Sequence, residues 1–203
     1  MVKVLAICGG SGSGKSFLAN AIKKNLPDDT IVLSYDNYYR DQSHLSFLER
    51  EKLNYDDPAQ LDAELFLKQL QALKNGESVR IPQYDFASHT RKKVSKPLSS
   101  AEWIICEGIM LLTLPKDSFD FSIYVDADDD VRLARRIVRD ISMRGRTMES
   151  VITQYLDNVK PMHKKFVEPC RALADFVYIN NHNNGIDREQ LESLLSAMHA
   201  QLD

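Results

Sequence analysis

The segment Gly9-Gly10-Ser11-Gly12-Ser13-Gly14-Lys15-Ser16 constrains this chain more than any other stretch. It holds four of the eight glycines in 203 residues. Before it runs a compact, β-branched apolar stretch, Val2 to Cys8; after it comes "FLANAIKKNL", where Leu18, Ile22 and Leu26 recur at helical spacing. Strand, glycine loop and helix in that order match G-x-x-x-x-G-K-[ST]. Glycines let backbone N–H groups turn inward on phosphate oxygens, Lys15 neutralises charge, and the Ser16 hydroxyl can hold Mg²⁺. A glycine-rich turn without a ligand is the bland alternative, and the pattern arises by chance in roughly one chain in a hundred of this length. A dinucleotide fingerprint fails on spacing, because G-x-G-x-x-G begun at Gly10 or Gly12 would need glycine at Lys15 or Phe17. The expected ligand is a nucleoside triphosphate, ATP or GTP, held by Gly9 to Ser16 with Phe17 opening the helix.

Four further apolar runs read as strands: Thr30 to Asp36, Ala101 to Gly108, "FDFSIYVDA", and Ala174 to Asn180. Helical patterns lie between most of them, at Pro58 to Lys74, Asp128 to Met143, Met148 to Phe166 and Asp187 to Leu202. This alternation predicts an α/β fold with a central parallel sheet of about five strands flanked by helices. The exception is Glu77 to Leu98, which predicts a small inserted β-hairpin. No repeat or linker divides the chain, so one domain over 1–203 is expected. A formal charge of -3 gives no bulk reason for a nucleic acid or anionic membrane partner. The odd, widely spaced cysteines Cys8, Cys106 and Cys170 suit a reduced, cytoplasmic setting, and the first apolar run is too short for a signal peptide or a membrane span.

A phosphate loop alone does not separate a kinase from a switch or a motor, so the acceptor chemistry rests on other residues. An alcohol acceptor has a proton to lose and calls for a general base. Asp36 in "LSYDNYYRD" and Glu107 in "WIICEG" both fall at the carboxyl edge of the sheet, where ligands of open parallel sheets collect. Asp36 suits the base, with a helix N-cap as its bland role; Glu107 suits the carboxylate that orders the Mg²⁺ shell, with a solvated strand end as the alternative. Six of the twelve arginines occupy positions 132, 135, 136, 139, 144 and 146. Arg132 and Arg135 read as a solvated basic face, whereas Arg139, Arg144 and Arg146 suit a lid, over about 136–147, that closes on transferring phosphate.

"LSYDNYYRD", "NYDDP", "IPQYDFASHTR", "CEGIM", "RRIVRDISMRGRT" and "QYLDNVKPMH" follow the phosphate loop in the order and approximate spacing of uridine-cytidine kinases. From Val2 to about Tyr178 the chain resembles that family. The resemblance implies a P-loop NTPase fold and transfer of the γ-phosphoryl of ATP or GTP to the 5'-hydroxyl of uridine or cytidine. It implies Asp36 as general base, Ser16, Asp36 and Glu107 around Mg²⁺, and Lys15, Arg139 and Arg144 on phosphate. Asp56 and Arg136 would hold the ribose, and Tyr84 and His89 would read the pyrimidine edge. Tyr39, Tyr55 and Phe86 would pack around the nucleoside, with Arg146 and Gln154 completing its pocket. A homotetramer and feedback inhibition by CTP or UTP are also implied. Two positions depart from the pattern: Asp57 stands where many members have histidine, and "NHNN" (Asn181 to Asn184) replaces a stretch that often carries Asp, leaving Asn183 for the donor's purine. His44, His163, His182 and His199 read as structural. A phosphoribulokinase-like or pantothenate-kinase-like activity, or a nucleotide-binding regulator that transfers nothing, would share the donor site. The first two would find little use for Tyr84 with His89; against the regulator, the chain has no N-K-x-D guanine motif and no obvious switch segment, yet keeps both carboxylates and the arginine lid.

Overall fold

A computed structural model describes residues 2–182 and 185–202. Five parallel strands form the central sheet: β1 (Lys3–Gly9), β2 (Ile31–Ser34), β7 (Trp103–Gly108), β8 (Phe121–Asp126) and β9 (Phe176–Ile179), in the order β2-β7-β1-β8-β9. Four short strands intervene in the sequence. β3 (Val79–Ile81) pairs antiparallel with β6 (Lys96–Leu98), and within that pair β4 (Tyr84–Asp85) meets β5 (Thr90–Arg91). The helices are α1 (Lys15–Lys23), α2 (Phe47–Glu51), α3 (Ala63–Lys74), α4 (Asp129–Arg144), α5 (Met148–Gln154) and α6 (Arg188–Leu202).

The near-continuous apolar composition of the central strands follows from burial on both faces. Val4, Ala6, Cys8, Ile104 and Cys106 point to one core with Tyr35, Phe66 and Leu70. Leu5, Ile7, Ile105, Phe121 and Ile123 alternate into the other, against Leu18 and Ile22 of α1 and Leu194 and Met198 of α6. Burial of each such Leu, Ile or Phe contributes about 1.5–3 kcal/mol, so the sheet that carries the loops is anchored by both cores. Cys8, Cys106 and Cys170 are free and buried. Among the described residues, no helix is long and apolar enough to cross a membrane.

Three elements differ from the sequence expectation. The helix expected from Pro58 is two pieces: a single 3₁₀ turn at Pro58–Gln60, then α3. Leu61 between them is extended and forms a bridge to Tyr39, and the Asp62 side chain accepts from Leu65 N–H at 3.3 Å, a cap that starts the helix anew. The helix expected over Met148 to Phe166 is α5 followed by π turns at Tyr155–Val159 and His163–Val167. Pro161 lies between the two widened turns; it has no N–H to donate, and such widening is frequent beside functional sites. The second strand stops at Ser34, and Asp36 lies instead in a 3₁₀ turn, Tyr35–Tyr38.

Candidate active site

The glycine loop leaves β1 and is braced from three sides. Inside it, Lys15 Nζ donates to the Gly10 carbonyl at 3.1 Å. From the end of β9, Asn180 Nδ2 donates to the Ser13 carbonyl at 2.7 Å. From α4, the main chain of Arg132 approaches Gly12 so closely that a Cβ there would strike its carbonyl oxygen; Gly12 also has φ +84°, in the region that favours glycine. Phe17, the third residue of α1, is exposed.

Arg132 and Arg135 are therefore not a solvated basic face. Arg132 is 2% exposed; its Nε donates to the Ala127 carbonyl at 3.0 Å and it pairs with Asp129. Arg135 donates to the Asn180 and His182 carbonyls at 2.9 and 2.7 Å. Both belong to the contact between α4 and the sheet edge, which helical periodicity alone does not reveal. His163 lies against Gly10 and next to Arg132; burial first, and then the Arg132 charge, push its imidazole down to about 4, so it is neutral at physiological pH. Asn183 lies outside the described residues.

Glu107 is buried at the end of β7, in register with Ile7 of β1 and Ser34 of β2. The Ser16 hydroxyl donates to its Oε2 at 3.0 Å, joining the glycine loop to the neighbouring strand. Asp36 stands two residues beyond Ser34, and the cap of its 3₁₀ turn is Ser34, so Asp36 is free of the N-cap role. Its Oδ1 is shut off from solvent without a hydrogen-bond partner. Burial and the Glu107 charge push its carboxyl up to about 6, against the opposing pull of Lys15, Arg144 and Arg139.

Between the 3₁₀ turn, the nested strands and α4 opens a cleft. Asp36, Arg139 and Arg144 line it, as do all nine residues expected around the nucleoside: Tyr39, Tyr55, Asp56, Tyr84, Phe86, His89, Arg136, Arg146 and Gln154. These come from several separate segments of chain. The His89 ring stacks on Tyr55 with centroids 4.8 Å apart and planes 16° from parallel. His89 has φ +53°, and the turn that holds it is fastened to α2 by Arg50, whose Nε donates to the Ser88 carbonyl at 3.0 Å. Burial and the Arg146 charge hold His89 below its ordinary value. One face of Phe86 is covered by the Arg144 guanidinium, 4.5 Å from the ring centroid. Burial pushes the Asp56 carboxyl up, and Arg136, Arg139, Lys15 and Arg144 pull against it. The extra carboxylate at Asp57 is spent locally: its Oδ1 accepts from Ala59 N–H at 2.9 Å and caps the turn at Pro58.

Sequence reasoning missed three residues here. Ile109 supplies apolar wall beside Asp36 and carries no pattern of its own. Arg91 fastens β5 to the turn bearing Asp36, donating to the Tyr39 and Tyr38 carbonyls at 2.7 and 3.1 Å and to Asp62 at 3.1 Å. Asp140 is fully buried among Arg136, Arg139 and Arg144; burial pushes its carboxyl up, but the hydrogen bond from Arg139 and the three positive charges outweigh that and hold it below its ordinary value. The spacing 136, 140, 144 is the available signal, since residues four apart share a helix face.

The chain is 47% identical over 186 residues to a uridine kinase of Clostridium novyi, covering 90% of this chain and 89% of the relative. It is 46% identical over 187 residues to a uridine kinase of Staphylococcus epidermidis, covering 90% of each. Among solved structures, it superposes on one described as a possible uridine kinase from Bacillus stearothermophilus with a TM-score of 0.57 and 22% identity, covering 87% of this chain and 88% of that one. A D-glycerate 3-kinase from Cryptococcus neoformans gives 0.59 and 16%, covering 84% and 80%. At such identities these two speak for the fold alone, a P-loop NTPase fold, as the sheet order and the loop after β1 lead one to expect. Residues 4–186 match the Phosphoribulokinase / Uridine kinase family, and the chain belongs to that family.

Proposed function

We propose that the protein is a uridine/cytidine kinase that transfers the γ-phosphoryl of ATP or GTP to a nucleoside 5'-hydroxyl. One observation carries the reading: a carboxylate with a buried, unpartnered oxygen, Asp36, lines the same cleft as the arginines Arg139 and Arg144 and the stacked Tyr55–His89 pair. An acceptor that brings no hydroxyl would leave Asp36 without a proton to take. An acceptor that brings no flat heterocycle would leave the stacked pair without a task.

In this reading the glycine loop, Lys15 and Ser16 bind the triphosphate. Asp56 and Arg136 hold the ribose, and His89 and Tyr84 orient the pyrimidine so that its 5'-hydroxyl meets Asp36. Asp36 takes that proton, the 5'-oxygen forms a bond to the γ-phosphorus, and the bond to the bridging β–γ oxygen breaks, leaving the nucleoside 5'-monophosphate and the nucleoside diphosphate. Arg139 and Arg144 stabilise the charge spread over the transferring oxygens. Mg²⁺ fits the donor set. Ser16 Oγ, Glu107 Oε2 and the unpartnered Asp36 Oδ1 are hard oxygen ligands on adjoining segments, although among the described residues no three His, Cys, Asp or Glu side chains gather into one cluster. When bound, the ion neutralises β- and γ-phosphate charge. The resemblance further supports a homotetramer, and exposed apolar side chains at Phe47, Leu48, Val138 and Met143 supply surface for an assembly to bury; the free cysteines support a cytoplasmic setting.

Radiolabelled ATP with a panel of uridine, cytidine, ribulose 5-phosphate and pantothenate tests the reading. Label is expected in UMP and CMP and in neither other product. Transfer to ribulose 5-phosphate or pantothenate, or binding of nucleotide with no transfer, would replace it.

Recognition of the base has its own test in His89→Asn. Asparagine tolerates the left-handed backbone at this position better than most residues do, so the ring is removed without unfolding the turn. The loss of stacking and of one hydrogen bond is worth about 1–3 kcal/mol. KM for uridine and cytidine is expected to rise roughly 5- to 100-fold on that scale, with KM for ATP changed less than about 3-fold. Equal weakening of both substrates would remove His89 from base recognition.

A further inference from the structure

Asp140 does not line the cleft, yet three of the arginines that do converge on it. Arg139 Nε lies 2.8 Å and Arg144 Nη1 3.4 Å from its Oδ1, and Arg136 Nε lies 3.5 Å from its Oδ2. The carboxylate is 0% exposed. Its own main-chain carbonyl accepts from Arg146 N–H at 3.1 Å, so the same residue also fixes where the chain turns at the end of α4 and delivers the fourth arginine.

We infer that Asp140 is the positioning residue of the arginine lid: one buried anion that holds the guanidinium groups of Arg136, Arg139 and Arg144 in place for the transferring phosphoryl. This rests on the kinase reading above. Like charges about 5 Å apart repel by a few kcal/mol at the effective dielectric of a protein site. Without a shared anion, three guanidiniums on one helix face would spread apart. Asp140 engages each guanidinium through one nitrogen only. Arg139 and Arg144 keep further N–H groups and both line the cleft, while Arg136 uses its other two nitrogens on Ser11 Oγ at 2.9 Å and Gln154 Oε1 at 2.7 Å. Arg144 is moreover packed over Phe86, so its place relative to the nucleoside wall depends on where Asp140 holds it. A phosphoryl transfer site loses rate steeply when its charged groups shift by about 1 Å, on the order of 10²-fold.

Asp140→Asn is the test, because the amide keeps the shape but lacks the charge and turns an N–H donor toward a guanidinium. Circular dichroism and thermal melting establish that it folds. Steady-state kinetics with MgATP and uridine are then expected to show kcat lowered roughly 10- to 100-fold, with KM for uridine within about 3-fold of wild type. In the double variant Arg139→Gln, Arg144→Gln the same substitution is expected to change kcat by less than about 3-fold, since two of the three groups it positions are gone and the third, Arg136, is also held by Ser11 and Gln154. A folded Asp140→Asn protein with wild-type kcat overturns the inference, and so does an equal loss in both backgrounds. Should Asp140→Asn not fold, Asp140→Glu decides, its charge kept and displaced by one methylene: a folded protein with lowered kcat supports positioning. Wild-type kcat, or failure of this variant to fold as well, makes Asp140 a structural residue only. Wild-type protein is the control for the kinase reading itself. If it transfers nothing to uridine that reading fails, and Asp140 is judged by the Kd for MgATP, expected to weaken about 10-fold in Asp140→Asn and, if unchanged, overturning the inference.

Discussion

Asp36→Asn is expected to lower turnover on uridine by roughly 10²- to 10⁴-fold, the range for loss of a general base, while uridine continues to bind. The same substitution is expected to make the metal-free protein more stable at neutral pH. In the fold the Asp36 carboxyl is pushed from 3.8 up to about 6, so the native state holds this proton more tightly than the unfolded chain does. The stability contributed by that proton is fully present below about pH 4 and is lost as the pH rises through about 6. At pH 7.5 the charged side chain is a net cost of about 1–3 kcal/mol, from a shift of about two units at 1.4 kcal/mol each, reduced because the residue is partly exposed. Asparagine removes the cost, and Tm should rise by about 2–4 °C per kcal/mol for a chain of this size. Melting curves at pH 5 and pH 7.5 check the sign: the advantage of the variant is expected at the higher pH and should shrink at the lower. A variant that keeps its turnover removes Asp36 from proton transfer. One that melts below wild type at pH 7.5 contradicts the burial argument. This trade of stability for a poised carboxylate is the pattern expected where function, not packing, selects a residue.

Gly12→Ala is the second large effect. Its Cβ would strike the Arg132 main-chain carbonyl, which cannot swing aside as a side chain could, and its φ of +84° costs a non-glycine residue about 1–2 kcal/mol besides. Either the glycine loop or the start of α4 must move, and the glycine loop is the proposed site of the phosphoryl donor. A fall in kcat/KM for ATP of at least roughly 10²-fold is expected, with a lowered Tm. Gly76→Ala is the control, at φ +85° with nothing within 4 Å of the added carbon. It should lose about 1–2 kcal/mol of stability and no activity. A Gly12→Ala enzyme with an ordinary KM for ATP would mean that the loop does not need the close approach seen here.

The glycine loop is legible in the amino-acid sequence alone. It is a contiguous signal, with strand, turn and helix in register along the chain, and its chemistry depends on backbone that local sequence dictates. The five strands are equally plain, because a parallel sheet buried on both faces leaves unbroken apolar runs. Asp36 stands out as a carboxylate at the sheet edge, but its place in a turn rather than at a strand end does not, since a 3₁₀ turn of four residues has no periodicity to read. The break at Leu61 is hidden in the same way: the leucines that follow it keep helical spacing, and only its bridge to Tyr39 pulls the backbone out of helix.

The arginines divide the two kinds of knowledge most clearly. Composition and spacing along α4 determined that a dense positive charge would stand on one helix, and the strand-loop-helix pattern determined where a glycine loop of the phosphate-binding type would lie in the chain. Which arginines would be buried against the glycine loop, as Arg132 is, and which would be gathered on Asp140 to face the cleft, only the tertiary structure decided. A helix presents every side to the same local sequence. The difference between a solvated charge and a poised one is made by what other segments, far off in the chain, pack against that side.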